Sequence, residues 1–298
     1  MLNQSDFEFD ASHIDNLNKC FSTFDTDIAI SISYVRRAQG LSFRELENRM
    51  TGINSSTLKR YLQPSYSSVR PLHVVAALSW VMMVPMTSFY AALKLKESYR
   101  GMDDYAVKAL HCVGRLPDDQ FKLYIDLISG MMTDSARTEF QRYRKEIEAP
   151  LDSAIRYDSL FPPEPLNIDT FAIDYYRSVA ITLKRFRSKH NIPEKALAKL
   201  LGLSMHQYRQ LEDETKPRDF TAAIGFRMKL AFQLYSHVNF TSEMTQYSQF
   251  HQLRKVQHIR DSLVVEAFRQ LNDTCKDHAV QILLSLSSVY IKNLIQSK

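Results

Sequence analysis

Residues 197–217 read LAKLLGLSMHQYRQLEDETKP, and this stretch decides the fold. Apolar residues recur in it at helical spacing before and after Gly202, and glycine adopts a positive φ at no steric cost. Ser204 follows at the position where a side-chain oxygen accepts a hydrogen bond from the first turn of a new helix. The stretch therefore predicts a helix that ends before Gly202, a tight turn, and a second helix from Met205 to Leu211.

The segment in front of this stretch predicts the preceding helix. VAITLKRFRSKH begins at Val179 and is expected to run as a helix to about His190, with a break at Asn191. Pro193 then suits the first turn of the next helix, because the amide that proline lacks has no helical partner at that position. The apolar seam between the two helices of the stretch is predicted to comprise Leu197, Leu201, Leu203, Tyr208 and Leu211.

The first half of the chain repeats this pattern. IAISISYVRRAQGLS from Ile28 aligns without a gap with VAITLKRFRSKHNIP from Val179, at an offset of 151 residues. The following segments align once the first copy is allowed one extra residue, and Gly52 then matches Gly202. Self-similarity of this length predicts an internal duplication.

A further match near the end of each half indicates that the repeated unit is about half of the chain. It places Asp118 on Asp273 in two amphipathic segments. Between the halves, the stretch LFPPEPLN contains three prolines, which disfavour helix, so a linker is predicted at residues 160–168. The predicted domains are residues 1–159 and residues 169–298, each with one motif followed by a helical tail.

The composition is that of an ordinary globular protein, with 45% hydrophobic and 24% charged residues in a chain of 298. No window approaches the roughly 18 uninterrupted apolar residues of a spanning helix. The first residues, MLNQSDFEFD, lack the basic-then-apolar pattern of a secretory signal. We therefore expect a cytoplasmic protein that makes no membrane contact.

The sequence offers no pattern for catalysis or cofactor binding. Cys20, Cys112 and Cys275 are far apart and lack metal-ligand spacing, so they are expected to be reduced core thiols. The chain has 7 glycines and no glycine-rich phosphate loop. His278 beside Asp277 is an isolated pair, because adjacent residues on a helix diverge. The prediction is a protein that is not an enzyme and needs neither a cofactor nor a metal.

Basic residues concentrate at the two motifs. Residues 1–150 have 18 Lys and Arg against 18 Asp and Glu, whereas residues 151–298 have 20 against 15. Within residues 28–70 the counts are seven and two, and within residues 179–218 they are nine and four, so each motif has a local charge of +5. Local excess of this kind suits contact with nucleic acid.

The stretch 197–217 resembles the helix-turn-helix core of the lambda repressor and Cro (Xre) family of DNA-binding regulators. The resemblance is carried by Leu197, Ala198, Gly202, Ser204, Leu211, Glu212 and Pro217. One departure is visible, because the family often has glycine two residues after the glutamate and this chain has Glu214. The loop after the second helix is therefore expected to differ.

The first copy resembles the family through Leu46, Gly52, Ile53, Asn54, Leu58 and Tyr61. It has Leu62 where the family glutamate would stand, and the extra residue around Met50 lengthens its turn. The resemblance implies an all-α fold of two tandem lambda-repressor-like helical domains, each followed by additional helices. The first copy is expected to have a positioning role, to dimerise or to read DNA weakly. The second copy is expected to discriminate bases more sharply.

In this family the second helix of the motif enters the major groove, where each base pair presents a distinct pattern of donors and acceptors. The resemblance implies base reading by Met205, His206, Gln207, Arg209 and Gln210 in the second copy and by Ser55, Ser56, Thr57, Lys59 and Arg60 in the first. It implies phosphate contacts by Arg36, Arg37, Arg44, Lys184, Arg185, Arg187, Lys189, Lys195, Lys199, Lys216 and Arg218. Gln207 would suit adenine edges and Arg209 guanine edges.

The function that follows is sequence-specific binding of double-stranded DNA by a transcriptional regulator. Two geometries stay open: a pseudo-dimer within one chain on successive major grooves about 34 Å apart, or a homodimer through the tail helices around residues 121–128 and 280–291. A small-molecule or protein effector at the tails is also open. The alternative function is an adaptor whose helix-turn-helix folds bind a protein partner rather than DNA.

Overall fold

The computed structural model describes residues 9–66, 68–90, 99–150, 157–160, 164–232, 234 and 240–296, and these residues form an all-α fold, as the sequence predicts. The α-helices are Ala11–Cys20 (α1), Phe24–Ala38 (α2), Phe43–Arg49 (α3), Ser55–Tyr61 (α4), Leu72–Val81 (α5), Asp104–Val113 (α6), Asp118–Gly130 (α7), Asp134–Glu148 (α8), Ile168–Lys189 (α9), Glu194–Leu201 (α10), Met205–Leu211 (α11), Ala222–Ala231 (α12), Ser248–Gln270 (α13) and Asp273–Gln296 (α14). Met86–Tyr90 and Tyr157–Leu160 form 3-10 helices. Among the described residues, no helix has the length and apolar character needed to span a membrane.

Two short strands break the helical pattern. Met50–Thr51 (β1) pairs in parallel with Leu166–Asn167 (β2), with Met50 opposite Leu166. The extra residue of the first copy therefore forms a strand. The end of the predicted linker is correspondingly part of a sheet, and Leu166 is buried.

Local signals in the sequence place the helices of the second motif where they were predicted. α9 ends two residues before Asn191, which has a φ of 51°. Pro193 directly precedes α10, and Gly202 ends that helix with a φ of 71°. Ser204 and Gln207 form a capping box at the start of α11. The predicted helix, turn and helix are confirmed, with Leu197, Leu201, Tyr208 and Leu211 buried and Leu203 half-buried between them.

The described residues divide into two compact units. Unit 1 contains those of Met1–Ile30, Phe43–Leu78 and Pro165–His251; unit 2 contains those of Ser31–Ser42, Ser79–Glu164 and Gln252–Lys298. Each unit takes segments from both halves of the sequence, and both helix-turn-helix motifs belong to unit 1. Two tandem domains that are separated at the predicted linker stay a prediction, which is based on the repeat in the sequence.

The repeat is visible in the helix bounds of unit 1. α3 and α10 begin at positions 151 residues apart. After the extra residue of the first copy, the offset falls to 150, and at that offset α4 coincides with α11, and α5 with α12, at both ends. The alignment of the two copies therefore describes structure as well as sequence.

Unit 2 has a polar core built on α13. This helix buries Arg254, Gln257, Arg260, Asp261 and Glu266. The Arg260 guanidinium lies 3.6 Å from the Tyr157 ring centroid and donates from Nη1 to the Leu116 carbonyl at 2.7 Å. Asp261 Oδ2 accepts from the Thr87 hydroxyl at 2.9 Å. The contacts of Arg260 and Asp261 therefore link α13 to other segments of unit 2.

Candidate nucleic-acid interface

One face of α11 is exposed and polar, and the opposite face is buried. Tyr208 and Leu211 are the buried residues, at 0% and 2% exposure. The predicted base-reading residues occupy the other face: His206, Gln207 and Arg209 are exposed, and Met205 and Gln210 are half-buried. The structure thus brings all five predicted residues of the second copy together on one helix of unit 1.

Arg209 is the most accessible cation on this face. Its side chain is 70% exposed, and its Nε donates to Glu194 Oε2 on α10 at 3.1 Å. This contact orients the guanidinium through its Nε. Arginine can contact guanine through two parallel N–H groups.

Gln207 has a structural role in addition to its predicted contact with DNA. Its Oε1 accepts from the Ser204 amide at 2.9 Å, and its own amide donates to Ser204 Oγ at 3.2 Å. A bidentate contact with adenine uses both the amide oxygen and the amide nitrogen of glutamine. While the capping box is closed, Gln207 therefore offers its Nε2 amino group as a donor, whereas its Oε1 is already engaged by Ser204. His206 and Gln210 similarly approach each other, with 2.9 Å between their Nε2 atoms.

Glu212 organises the end of α11 through a network that the sequence reading missed. Its two carboxylate oxygens accept from Arg187 Nε at 2.8 Å and Nη2 at 3.0 Å, and Oε1 also accepts from the Tyr208 hydroxyl at 2.5 Å. The hydrogen bond to Glu212 raises the pKa of Arg187, and burial followed by the same carboxylate raises the pKa of Tyr208. Arg187, predicted to contact phosphate, is therefore engaged within the protein. The family glutamate was the available signal for this network.

The remaining basic residues of the second copy lie on α9, on α10 and in the segment after α11, all in unit 1. Lys184, Lys189, Lys195, Lys199, Lys216 and Arg218 are exposed. Arg185 is 62% exposed and donates to Glu243 Oε1 at 2.7 Å. Exposed lysines and arginines beside a reading helix are suited to phosphate contacts, which fix register without reading sequence.

The loop after α11 accommodates Glu214 through an Asx turn. The Asp213 carboxylate accepts from the Thr215 amide at 3.0 Å and from the Thr215 hydroxyl at 2.6 Å. These bonds hold the pKa of Asp213 below its ordinary value. Glu214 is not among the residues with positive φ. The loop thus closes without the glycine that the family often has, as expected from the departure in sequence.

The predicted base-reading residues of the first copy lie on α4. Asn54 Oδ1 caps the helix by accepting from the Thr57 amide at 2.8 Å, and it also accepts from the Ser56 hydroxyl at 2.7 Å. Lys59 and Arg60 are exposed, and Ser55 and Thr57 are half-buried. Arg44 on α3 is exposed, whereas Arg36 and Arg37 belong to unit 2. The structure therefore collects most, not all, of the predicted residues of the first copy in unit 1.

The network around Glu212 has no counterpart in the first copy. Leu62 and Leu58 occupy the positions of Glu212 and Tyr208, and both are buried. Arg36, at the position of Arg187, donates from Nη1 to the Leu41 carbonyl at 2.6 Å. All three members of the network are thus replaced or redirected.

In the first copy, Arg70 stabilises the loop after α4 instead. The sequence did not indicate a role for this residue. Its side chain is buried and donates to the carbonyls of Tyr61, Gln63 and Ser68 at 3.2, 2.7 and 2.8 Å. Its amide donates to Asp25 Oδ1 at 2.8 Å. A cation at these carbonyls stabilises the end of the helix.

Comparison of the chain with protein-family models, with curated proteins and with solved structures gave no match.

Proposed function

We propose that this protein binds double-stranded DNA in a sequence-specific manner and regulates transcription, with α11 as its main reading element. The observation that carries the proposal is the α10–turn–α11 motif with its exposed polar outer face. Arg209 is exposed at 70% on a helix whose other side is fully packed. A rigid helix with exposed polar residues near its start fits the width of the major groove.

The charge distribution supports DNA over a protein partner. Residues 179–218 have nine Lys and Arg and four Asp and Glu, and two of those carboxylates, Glu194 and Glu212, are already bonded to arginines within the motif. The segment keeps a net charge of +5, so its exposed lysines and arginines present a surface with an excess of positive charge. Neutralising phosphates with such a surface releases counterions, so binding should weaken steeply with salt.

The test is fluorescence anisotropy with sheared genomic DNA and with sequences selected from a random duplex library. We expect binding at low salt, with a slope of log affinity against log salt of about −4 or steeper, since roughly five phosphates would be contacted. Arg209→Ala should reduce affinity for the selected site by about tenfold to 100-fold, as loss of a bidentate base contact does.

Two further variants distinguish a loss of DNA contacts from a loss of folding. Gln207→Glu keeps an acceptor for the Ser204 amide, so helix α11 keeps its cap while a negative charge enters the reading face. It should abolish binding without changing the thermal unfolding temperature. Arg142→Ala removes an exposed cation on α8 of unit 2 and should leave binding within twofold of the parent.

A protein-binding adaptor gives the opposite result. If no duplex shifts at low salt, and if Arg209→Ala and Gln207→Glu behave like the parent in a reporter assay, the DNA proposal is wrong.

A further inference from the structure

The two copies meet inside unit 1 through equivalent residues. Pro71 and Thr221 form an antiparallel bridge, and they occupy the same position of the repeat at the offset of 150 that aligns α5 with α12. On either side of the bridge, the Leu72 amide donates to the Phe220 carbonyl at 2.8 Å and the Ala222 amide donates to the Arg70 carbonyl at 2.7 Å. Exchanging the two copies converts each of these bonds into the other.

A contact with this exchange property is self-complementary, and it has a local two-fold axis. Each bridging segment is also bonded to the first helix of its own motif. Asp25 Oδ1 accepts from the Arg70 amide at 2.8 Å, and the Tyr176 hydroxyl donates to the Phe220 carbonyl at 3.0 Å. Asp25 and Tyr176 are equivalent positions at the offset of 151 that aligns the two first helices. Each motif is thus tied to its own side of the bridge, and the same axis would relate the two motifs.

A two-fold rotation keeps the height of every atom along its axis. With the motifs related in this way, α4 and α11, which are equivalent, would face the same end of the axis. B-DNA has local two-fold axes perpendicular to its length, so motifs related by a rotation read inverted half-sites, whereas motifs related by translation read direct repeats. Half-sites for such a pair lie about 10 to 10.5 base pairs apart, or a multiple of that distance.

The pairing surface differs between the copies. A Cβ on Gly225 would lie 2.8 Å from Leu72 Cδ2. On this side of the interface, the large side chain of Leu72 therefore packs against a residue that has no side chain. The equivalent pair, Ala222 and Val75, has a small residue and a medium one, and both are buried. Two first copies would place Leu72 opposite Val75 and overpack, because no glycine receives the leucine. The copies are therefore fitted to each other within one chain.

We infer that a single chain recognises an imperfect inverted repeat, with one half-site read by α11 and a different, less discriminating half-site read by α4. This inference rests on the proposed function and specifies its DNA target. The difference between the half-sites follows from the reading faces: α11 presents Arg209, whereas α4 presents Lys59, Arg60 and the capped hydroxyl of Ser56.

The test uses the full chain and duplexes built from the sequence selected out of a random library. Four probes are compared: the selected site, the same site with one half reversed into a direct repeat, and the site with either half scrambled. We expect the direct repeat to bind at least tenfold more weakly. Scrambling the half-site of α11 should cost about 100-fold and the other half-site about tenfold, as several mismatched base pairs do.

A fifth probe changes the spacing by five base pairs, which moves one half-site to the opposite face of the duplex. It should bind at least tenfold more weakly than the selected site. Sedimentation velocity of the complex should give one chain per duplex. Two chains per duplex, or equal affinity for direct and inverted repeats, overturn the inference and leave the proposed function standing. No retention of any duplex at low salt overturns the proposed function itself.

Discussion

The network of Arg187, Tyr208 and Glu212 gives a quantitative prediction for the stability of the second motif. Glu212→Gln preserves the shape of the side chain but removes the charge that accepts from Arg187 at 2.8 and 3.0 Å. The Glu212 side chain is 9% exposed and that of Arg187 is 20% exposed. A fully buried pair that loses one partner costs about 3–5 kcal/mol, and partial access of water to Arg187 lowers this to about 2–3 kcal/mol.

A double-mutant cycle isolates the pair. Arg187→Met should also cost about 2–3 kcal/mol, because Glu212 is then left with Tyr208 as its remaining partner in the network. The double variant should cost about 3 kcal/mol rather than the sum, which corresponds to a coupling energy of about 1–3 kcal/mol. Arg185→Met is the matched control. Its guanidinium is 62% exposed beside Glu243, so the change should stay below about 1 kcal/mol.

Native-state amide hydrogen exchange of α11 is the appropriate assay. The only tryptophan, Trp80, lies in unit 2, so its fluorescence reports on that unit and not on the motif. We expect the opening free energy of the α11 amides to fall in the two single variants, with the Trp80 signal unchanged. Additive single effects, or an effect of Arg185→Met as large as that of Arg187→Met, would refute the assigned coupling.

Two further predictions concern packing and pH. Gly225→Val should destabilise α12 by about 2 kcal/mol through overpacking against Leu72, and by less than about 0.5 kcal/mol when Leu72→Ala is already present; hydrogen exchange of α12 measures both. Burial lowers the pKa of His111 to about 4 from 6.5, so its contribution to stability is complete above pH 6.5 and is lost as the pH falls toward 4. The loss amounts to about 3 kcal/mol for unit 2, followed by Trp80 fluorescence in urea. His111→Gln should flatten this dependence, whereas the same change at the exposed His278 should leave it intact.

The helices of the second motif could be predicted because their signals are local. A glycine with positive φ, a serine cap and a proline ahead of a helix each act within one turn of the backbone. Gly202, Ser204 and Pro193 therefore gave the bounds of α10 and α11 directly. The same reasoning gave Asn54 as the cap of α4.

The division into two units could not be predicted from the sequence, because it depends on contacts between residues that are far apart in the chain. Pro71 pairs with Thr221 across 150 residues, and Met50 pairs with Leu166 across 116. Neither segment has strand-like alternation of its own. The charged residues of α13 also lead to a wrong expectation of exposure. Arg260 and Asp261 are of residue types that usually face solvent, but they are only 2% and 3% exposed. Their burial depends on partners in other helices, which periodicity along one helix does not reveal.

The extra residue of the first copy gives a structural reason for the different DNA-binding roles that are predicted for the two motifs. It allows Met50–Thr51 to form β1 and pair with β2, directly ahead of α9. A Cβ on Gly52 would lie 3.2 Å from Asp169 Oδ2, so the turn of the first motif packs closely against the chain that leads into the second. The Asp169 carboxylate therefore lies close to the turn between α3 and α4, and a negative charge there disfavours an approaching phosphate. The second motif has no such neighbour at its turn among the close contacts of Gly202, where the Arg227 guanidinium lies instead. A cation near that turn is compatible with an approaching polyanion, which agrees with the proposal that α11 is the main DNA-reading helix.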